Sequence, residues 1–218
     1  MANNAHKYGF RWSYNTNGVP CPKGELMQVA SGQNFNVSGD ATNLNLNVGD
    51  AVAMTASGNL GLMGGNENAQ TSQAGWGIVV GMGPVGFFNG TRMVRQTFLQ
   101  SGCTYGSAIE RISQVLVVPA SAGIWEIDVD DNVTATTQAA YQAFIGENCD
   151  HRNTPNDAQL QVNPLLNIAS HNPATATLAW RIRGISSNFQ NQDFSGTFVK
   201  LLVSINKGQE NYFTNVGI

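Results

Sequence analysis

The strongest constraint on this chain is a hydrophobic period of two. In Thr177–Ile185, Leu178, Trp180 and Ile182 share one face, and Arg181 and Arg183 the other. In Trp125–Val129, Trp125, Ile127 and Val129 alternate with Glu126 and Asp128. In Thr197–Ile205, Val199, Leu201, Val203 and Ile205 point together, with Lys200 and Ser204 opposite. Successive side chains of a strand face opposite ways, so each run predicts a half-buried strand. Further alternating or β-branched runs occur at Glu25–Ala30, Ala51–Thr55, Trp76–Met82, Met93–Leu99, Val115–Val118 and Gln159–Val162, between clusters of Gly, Asn and Ser. That punctuation predicts a sandwich or barrel. If the Trp125 and Trp180 strands are neighbours, Glu126 and Asp128 face Arg181 and Arg183 as cross-strand ion pairs, each adding ~0.2–1 kcal/mol.

One helix is expected, in "TATTQAAYQAFIG". Thr134 or Thr136 caps its start, Ala139, Ala140 and Ala143 favour it, and Gly146 ends it. Tyr141, Phe144 and Ile145 form its apolar stripe. The expected fold is therefore all-β, a mainly antiparallel β-sandwich or barrel-like body over 25–207 with one short helix near 135–145. Two extended terminal arms flank it, 1–24 and 208–218. The first carries Tyr8, Phe10, Trp12 and Tyr14 between polar residues; the second carries Tyr212 and Phe213. Such arms either lie on a neighbouring molecule or cover an edge of their own sheet.

Charge narrows the function classes. Only 11% of residues are charged, against about 25% in an average soluble protein. The polar surface is built from Asn, Gln, Ser and Thr, which lose little on desolvation and suit permanent contact. With a net charge of −3 and no Lys/Arg run, the chain lacks the basic stripe of a nucleic-acid binder. No apolar run approaches the ~18–20 residues that span a bilayer, and "MANNAHKYGF" holds no signal-peptide stretch. A soluble protein made in a cytoplasm is expected. Cys21, Cys103 and Cys149 have neither zinc nor disulfide spacing and read as buried or idle thiols.

Several motifs tempt and fail. Gly81-Met82-Gly83-Pro84-Val85-Gly86 matches GxGxxG, but β-prone "FFNGT" follows where a dinucleotide site needs a helix. Asp128, Asp130, Asp131 and Asn132 suggest a calcium loop, yet Val133 stands at the turn glycine's place and no closing glutamate follows. His151 lies in the turn-rich "CDHRNTPND", and His171 before Asn172-Pro173 reads as a turn residue; no nucleophile elbow or metalloprotease motif accompanies them. No catalytic residue, cofactor or metal is expected.

The loop "ISSNFQNQDFSG" is long, almost uncharged, and carries Phe189 and Phe194. Two phenylalanines ringed by amides suit an anchor on another protein, at about 25 cal/mol per Å² of apolar surface buried. The alternative is that they fold back and plug their own loop.

The ordered set "GFR" (Gly9–Arg11), Gly49-Asp50-Ala51-Val52, "GIVVGM", "IWEIDVDD" before an alanine-containing helix, and "AWRIRGI…LLVSIN" resembles a family of tailed-bacteriophage head proteins, the capsid cement or decoration proteins. The likeness runs from Tyr8 to about Asn211. In that family the turn after the "RIRGI"-like strand is shorter and carries Arg, Pro and Asp, and Ser57–Gln73 is longer here than usual. The resemblance implies a β-rich, non-enzymatic virion protein on the capsid surface. It implies the major capsid protein as partner, with a homo-oligomer (dimer or trimer) on the lattice and no nucleic-acid or membrane partner. Tyr8, Phe10, Trp12, Tyr14, Phe189, Phe194, Tyr212 and Phe213 are the expected interface residues. A carbohydrate-binding β-sandwich displayed on the virion is the other reading, with Trp12, Trp76, Trp125 and Trp180 as stacking candidates.

Overall fold

The computed structural model describes residues 9–14, 24–28, 48–54, 60–63, 75–82, 86–88, 91–93, 114–130, 135–156, 161–174, 178–188, 191–195 and 197–206. The strands are β1 (Arg11–Tyr14), β2 (Glu25–Gln28), β3 (Ala51–Met54), β4 (Leu60–Leu62), β5 (Gly75–Met82), β6 (Gly86–Phe88) and β7 (Thr91–Met93). They continue with β8 (Gln114–Pro119), β9 (Ile124–Asp128), β10 (Asn148–Asn156), β11 (Gln161–Asn172), β12 (Trp180–Ile185) and β13 (Lys200–Ile205). The helix α1 (Gln138–Ala143) lies between β9 and β10.

The fold is all-β as expected: a six-stranded antiparallel sheet ordered β1-β9-β13-β12-β10-β11, a five-stranded one ordered β2-β8-β5-β3-β4, and a β6-β7 hairpin. The six-stranded sheet curls on itself. Val129, just past β9, bridges Leu166 of β11, and Asp130 N–H donates to Leu166 O at 3.0 Å. β1 takes the first half of that flank of β9 and β11 the second, so this sheet is barrel-like.

Period-two alternation finds the core faces, although the polar faces of β9 and β13, predicted to be open, also bury Glu126, Asp128 and Lys200. Trp125, Ile127, Leu201, Val203, Trp180 and Ile182 are fully buried, in one cluster with Ala51, Ala53, Ile78 and Val118 of the other sheet. The opposite face of the second sheet carries its own cluster, Val52, Leu60, Val79, Val115 and Val117. Both buried indoles keep a polar partner: Trp125 Nε1 donates to Ala120 O at 3.0 Å, and Trp180 Nε1 to His151 Nδ1 at 3.0 Å.

Three expectations change. Arg11–Tyr14, assigned to an N-terminal arm, is a sheet strand paired to β9, with Arg11 opposite Glu126 and Trp12 opposite Trp125. The polar stretch around His151 is strand β10, paired along most of its length to β11, which extends far beyond the predicted Gln159–Val162. The helix is capped by Thr137, whose Oγ1 accepts from Ala140 N–H at 3.2 Å, and ends before Gly146 at φ +94°. Because the helix stops at Ala143, Ile145 falls in the turn beyond it and is exposed, while Tyr141 is buried and Phe144 half-buried. Met93–Leu99 past residue 93, and 208–218, lie outside the described residues.

Two glycines bring the chain start against both sheets. Phe10 N–H donates to Gly49 O at 2.8 Å, and Gly49 adopts φ +94°. A Cβ on Gly9 would meet the Pro164 ring and stand 2.9 Å from Gly49 O. Gly9→Ala is accordingly expected to cost roughly 1–3 kcal/mol, as overpacking does. A urea midpoint unchanged from wild type would show that the segment shifts freely.

Candidate functional site

The segment between β12 and β13 was the leading sequence candidate, and it is tied down at its base. Ser186 N–H donates to Lys200 O at 3.0 Å. The Asn191 side chain bridges both ends of the loop: Nδ2 donates to Ser186 O at 3.0 Å and to Lys200 O at 2.9 Å, and Oδ1 accepts from Lys200 N–H at 2.9 Å. An asparagine is matched to this task because its amide donates and accepts at once, imitating a strand edge. Asp193 Oδ1 accepts from Ser195 N–H and Oγ, closing a small turn. Phe198, at φ +59°, carries the chain into β13 through a backbone region that non-glycine residues seldom occupy.

Beneath the loop lies a buried ionic network on the outer face of the sheet. Lys200 is fully buried, and its Nζ lies 3.6 Å from Asp128 Oδ1 and donates to Phe198 O at 3.2 Å. Glu126 accepts from Arg11 Nη2, from Ser186 Oγ and from Asn188 Nδ2. Burial lowers the Lys200 pKa from its ordinary value; Asp128 opposes that and Arg11 adds to it. Burial likewise lowers Arg11, against the pull of Asp128.

This network corrects the expected ion pairs. β13 separates β9 from β12, so Glu126 and Asp128 never face Arg181 and Arg183. Cross-strand partners are Arg11 opposite Glu126 and Lys200 opposite Asp128. The alternation was right, but strand order cannot be read from it.

The predicted interface residues divide. Phe10 is 3% exposed, with its ring 4.3 Å from Trp180 and 5.7 Å from His151. It is a core residue, because β1 seats its segment in the gap between sheets. Trp12 is half-buried edge-on against Trp125 at 5.3 Å. Tyr14 is 49% exposed. Phe194 is half-buried, 6.1 Å from the Tyr141 ring, and packs on its own core as the self-plugging alternative has it. Tyr8, Phe189, Tyr212 and Phe213 lie outside the described residues. Trp125 and Trp180 are sealed inside, so neither can stack on a sugar.

The remaining titratable groups serve packing. His151 is buried, not in a turn; burial lowers its pKa to about 4 against a hydrogen bond with the Met63 backbone. It is therefore neutral at pH 7, with Nδ1 as acceptor. His171 closes β11, 2.9 Å from Glu147 and 4.8 Å from the Phe144 ring. Burial raises the Cys149 thiol well above its ordinary value, with Asp150 and Glu147 adding to it, so Cys149 is a poor nucleophile. Asp128 pairs with Lys200 and Asp130 with Arg152 at 3.7 Å. Among the described residues no three His, Cys, Asp or Glu side chains gather as metal ligands. Gly86 opens β6, where a dinucleotide site would open a helix. No described helix is long and apolar enough to cross a membrane.

Asn191, Ser186 and Lys200 were not singled out from the sequence as acting together. The only signal was the coincidence of a lysine on a strand's polar face with an amide-rich loop before it. No family model matches the chain, and no match is found among curated proteins or solved structures.

Proposed function

We propose that this chain is a structural protein of a tailed-bacteriophage head, a cement or decoration protein that binds the outer capsid surface and bridges coat subunits. One observation supports the reading above the others. Of the 25 charged residues, already few, at least five (Asp50, Glu126, Asp128, Asp130 and Lys200) are buried. Burying these five along with the uncharged core leaves the exterior as sparse in charge as the 11% of the whole chain, so most of its polar groups belong to Asn, Gln, Ser and Thr. Such a surface is cheap to desolvate over a broad contact and suits permanent attachment. The ordered motifs from "GFR" to "LLVSIN" point to the same class. An interface of roughly 1,000–2,000 Å² per bridge is sufficient, because repetition on a lattice holds each detached contact near its partner.

Purified particles from the source of this chain test the reading. Mass spectrometry is expected to find the chain at a copy number matching lattice positions. Cryo-EM is expected to show its two-sheet body outside the coat. Particles that lack the chain overturn the proposal.

A further inference from the structure

We infer that Arg181 and Arg183 form a docking site for an extended acidic segment of a protein partner, which on the reading above is a coat subunit. Both arginines are exposed on β12, a strand inside the six-stranded sheet. The two acids expected to neutralise them belong to Arg11 and Lys200. The neighbouring Glu147 carboxylate pairs with His171. Among the described residues neither arginine has an ion-pair partner, and Arg183 makes one neutral contact, Nε donating to Ser204 Oγ at 2.7 Å. Arg11, Arg152 and Lys200 each have a carboxylate partner, so in a chain of net charge −3 two neighbouring guanidinia with no acid beside them among the described residues are an exception.

The backbone adds a second observation. β12 pairs with β13 through Ile182–Val203 and then Gly184–Leu202, so the register shifts by one residue at Arg183, as at a β-bulge. Bulges re-aim a side chain and accumulate beside functional sites. Arg181 and Arg183 are spaced two residues along a strand, about 6–7 Å. An extended partner segment presents its own side chains at that same interval. Aspartates or glutamates at alternate positions would therefore meet both guanidinia, each by a two-pronged hydrogen-bonded pair. A phosphate backbone is the less fitting occupant, because the chain has no basic run to extend the contact.

The inference rests on the cement reading, and one binding assay separates their failures. Wild-type protein, Arg181→Gln/Arg183→Gln and a charge-matched control, Gln138→Glu/Gln142→Glu on the exposed face of α1, are titrated onto particles stripped of this chain. The arginine variant is expected to bind about tenfold or more weakly, with a flatter salt dependence. The control is expected to bind like wild type, and Arg181→Lys/Arg183→Lys to recover part of the loss. Matching thermal melts establish that the variants are folded. If wild type binds and the glutamine variant binds equally, this inference falls alone. If wild type does not bind, both fall. Comparable arginine-dependent binding to a short DNA duplex overturns the carboxylate assignment.

Discussion

Lys200→Ala is expected to destabilise the protein by roughly 3–5 kcal/mol, the cost of removing one partner from a buried ion pair. Lys200 is fully buried and Asp128 nearly so, 3.6 Å apart. Truncating the lysine leaves Asp128 with its charge shielded from water. It also removes the ammonium that holds Phe198 O at the strained entry to β13. The double substitution Lys200→Met/Asp128→Leu removes both charges and is expected to be far milder, near neutral, because apolar pairs of similar volume often replace buried ion pairs without loss. Urea denaturation followed by fluorescence of the buried Trp125 and Trp180 measures both. A cost below about 1 kcal/mol for Lys200→Ala would mean that water reaches the pair, as it does for surface salt bridges.

The second large effect is acid lability through His151. An unfolded histidine takes its proton near pH 6.5, whereas in the fold burial delays this to about 4. Between those values the unfolded chain holds more protons, so stability is complete above pH 6.5 and falls as the pH drops toward 4. The difference is on the order of 3 kcal/mol. Protonation also converts Nδ1 into a donor, and the bond from Trp180 Nε1 is lost. Asp150 acts in the opposite direction: burial raises its pKa, against the Ala179 backbone hydrogen bond, so acid favours its folded form and offsets part of the loss. His151→Gln cannot titrate but can still accept from Trp180. Its stability is expected to change less than wild type's between pH 7 and pH 4, by about 3 kcal/mol. Parallel slopes for the two proteins would assign the acid response to the carboxylates instead.

Strands that bury one face were legible because burial writes itself into every second residue: in β12 Trp180 and Ile182 are buried while Arg181 and Arg183 are exposed. The strands predicted at Trp125–Val129 and Thr197–Ile205 exist as β9 and β13, but the faces read as open are covered too, with Glu126, Asp128 and Lys200 buried. β10 was hidden because its visible chemistry is polar. Among its described side chains Asn148, Cys149 and His151 are buried, two of them polar, and Pro155 and three asparagines resemble a turn. The N-terminal strand was hidden for a related reason. Phe10 and Trp12 alternate with polar residues as an interface arm would, and sequence does not say whether the surface they cover is foreign or their own. The loop before β13 showed its length and amides but not their target. Pairing Asn191 with Lys200 requires the turn geometry, and the acid–base partners across β9, β13 and β1 require the strand order.

The bridge between Val129 and Leu166 bears on how copies of this chain meet in concentrated solution. Concentration brings identical sheets within reach of each other, where a free strand border invites runaway stacking into fibres. Here the last strand of the larger sheet already returns to its own second strand. At Leu166 the border is therefore already occupied from within the same chain, and that point cannot serve a second copy as a template.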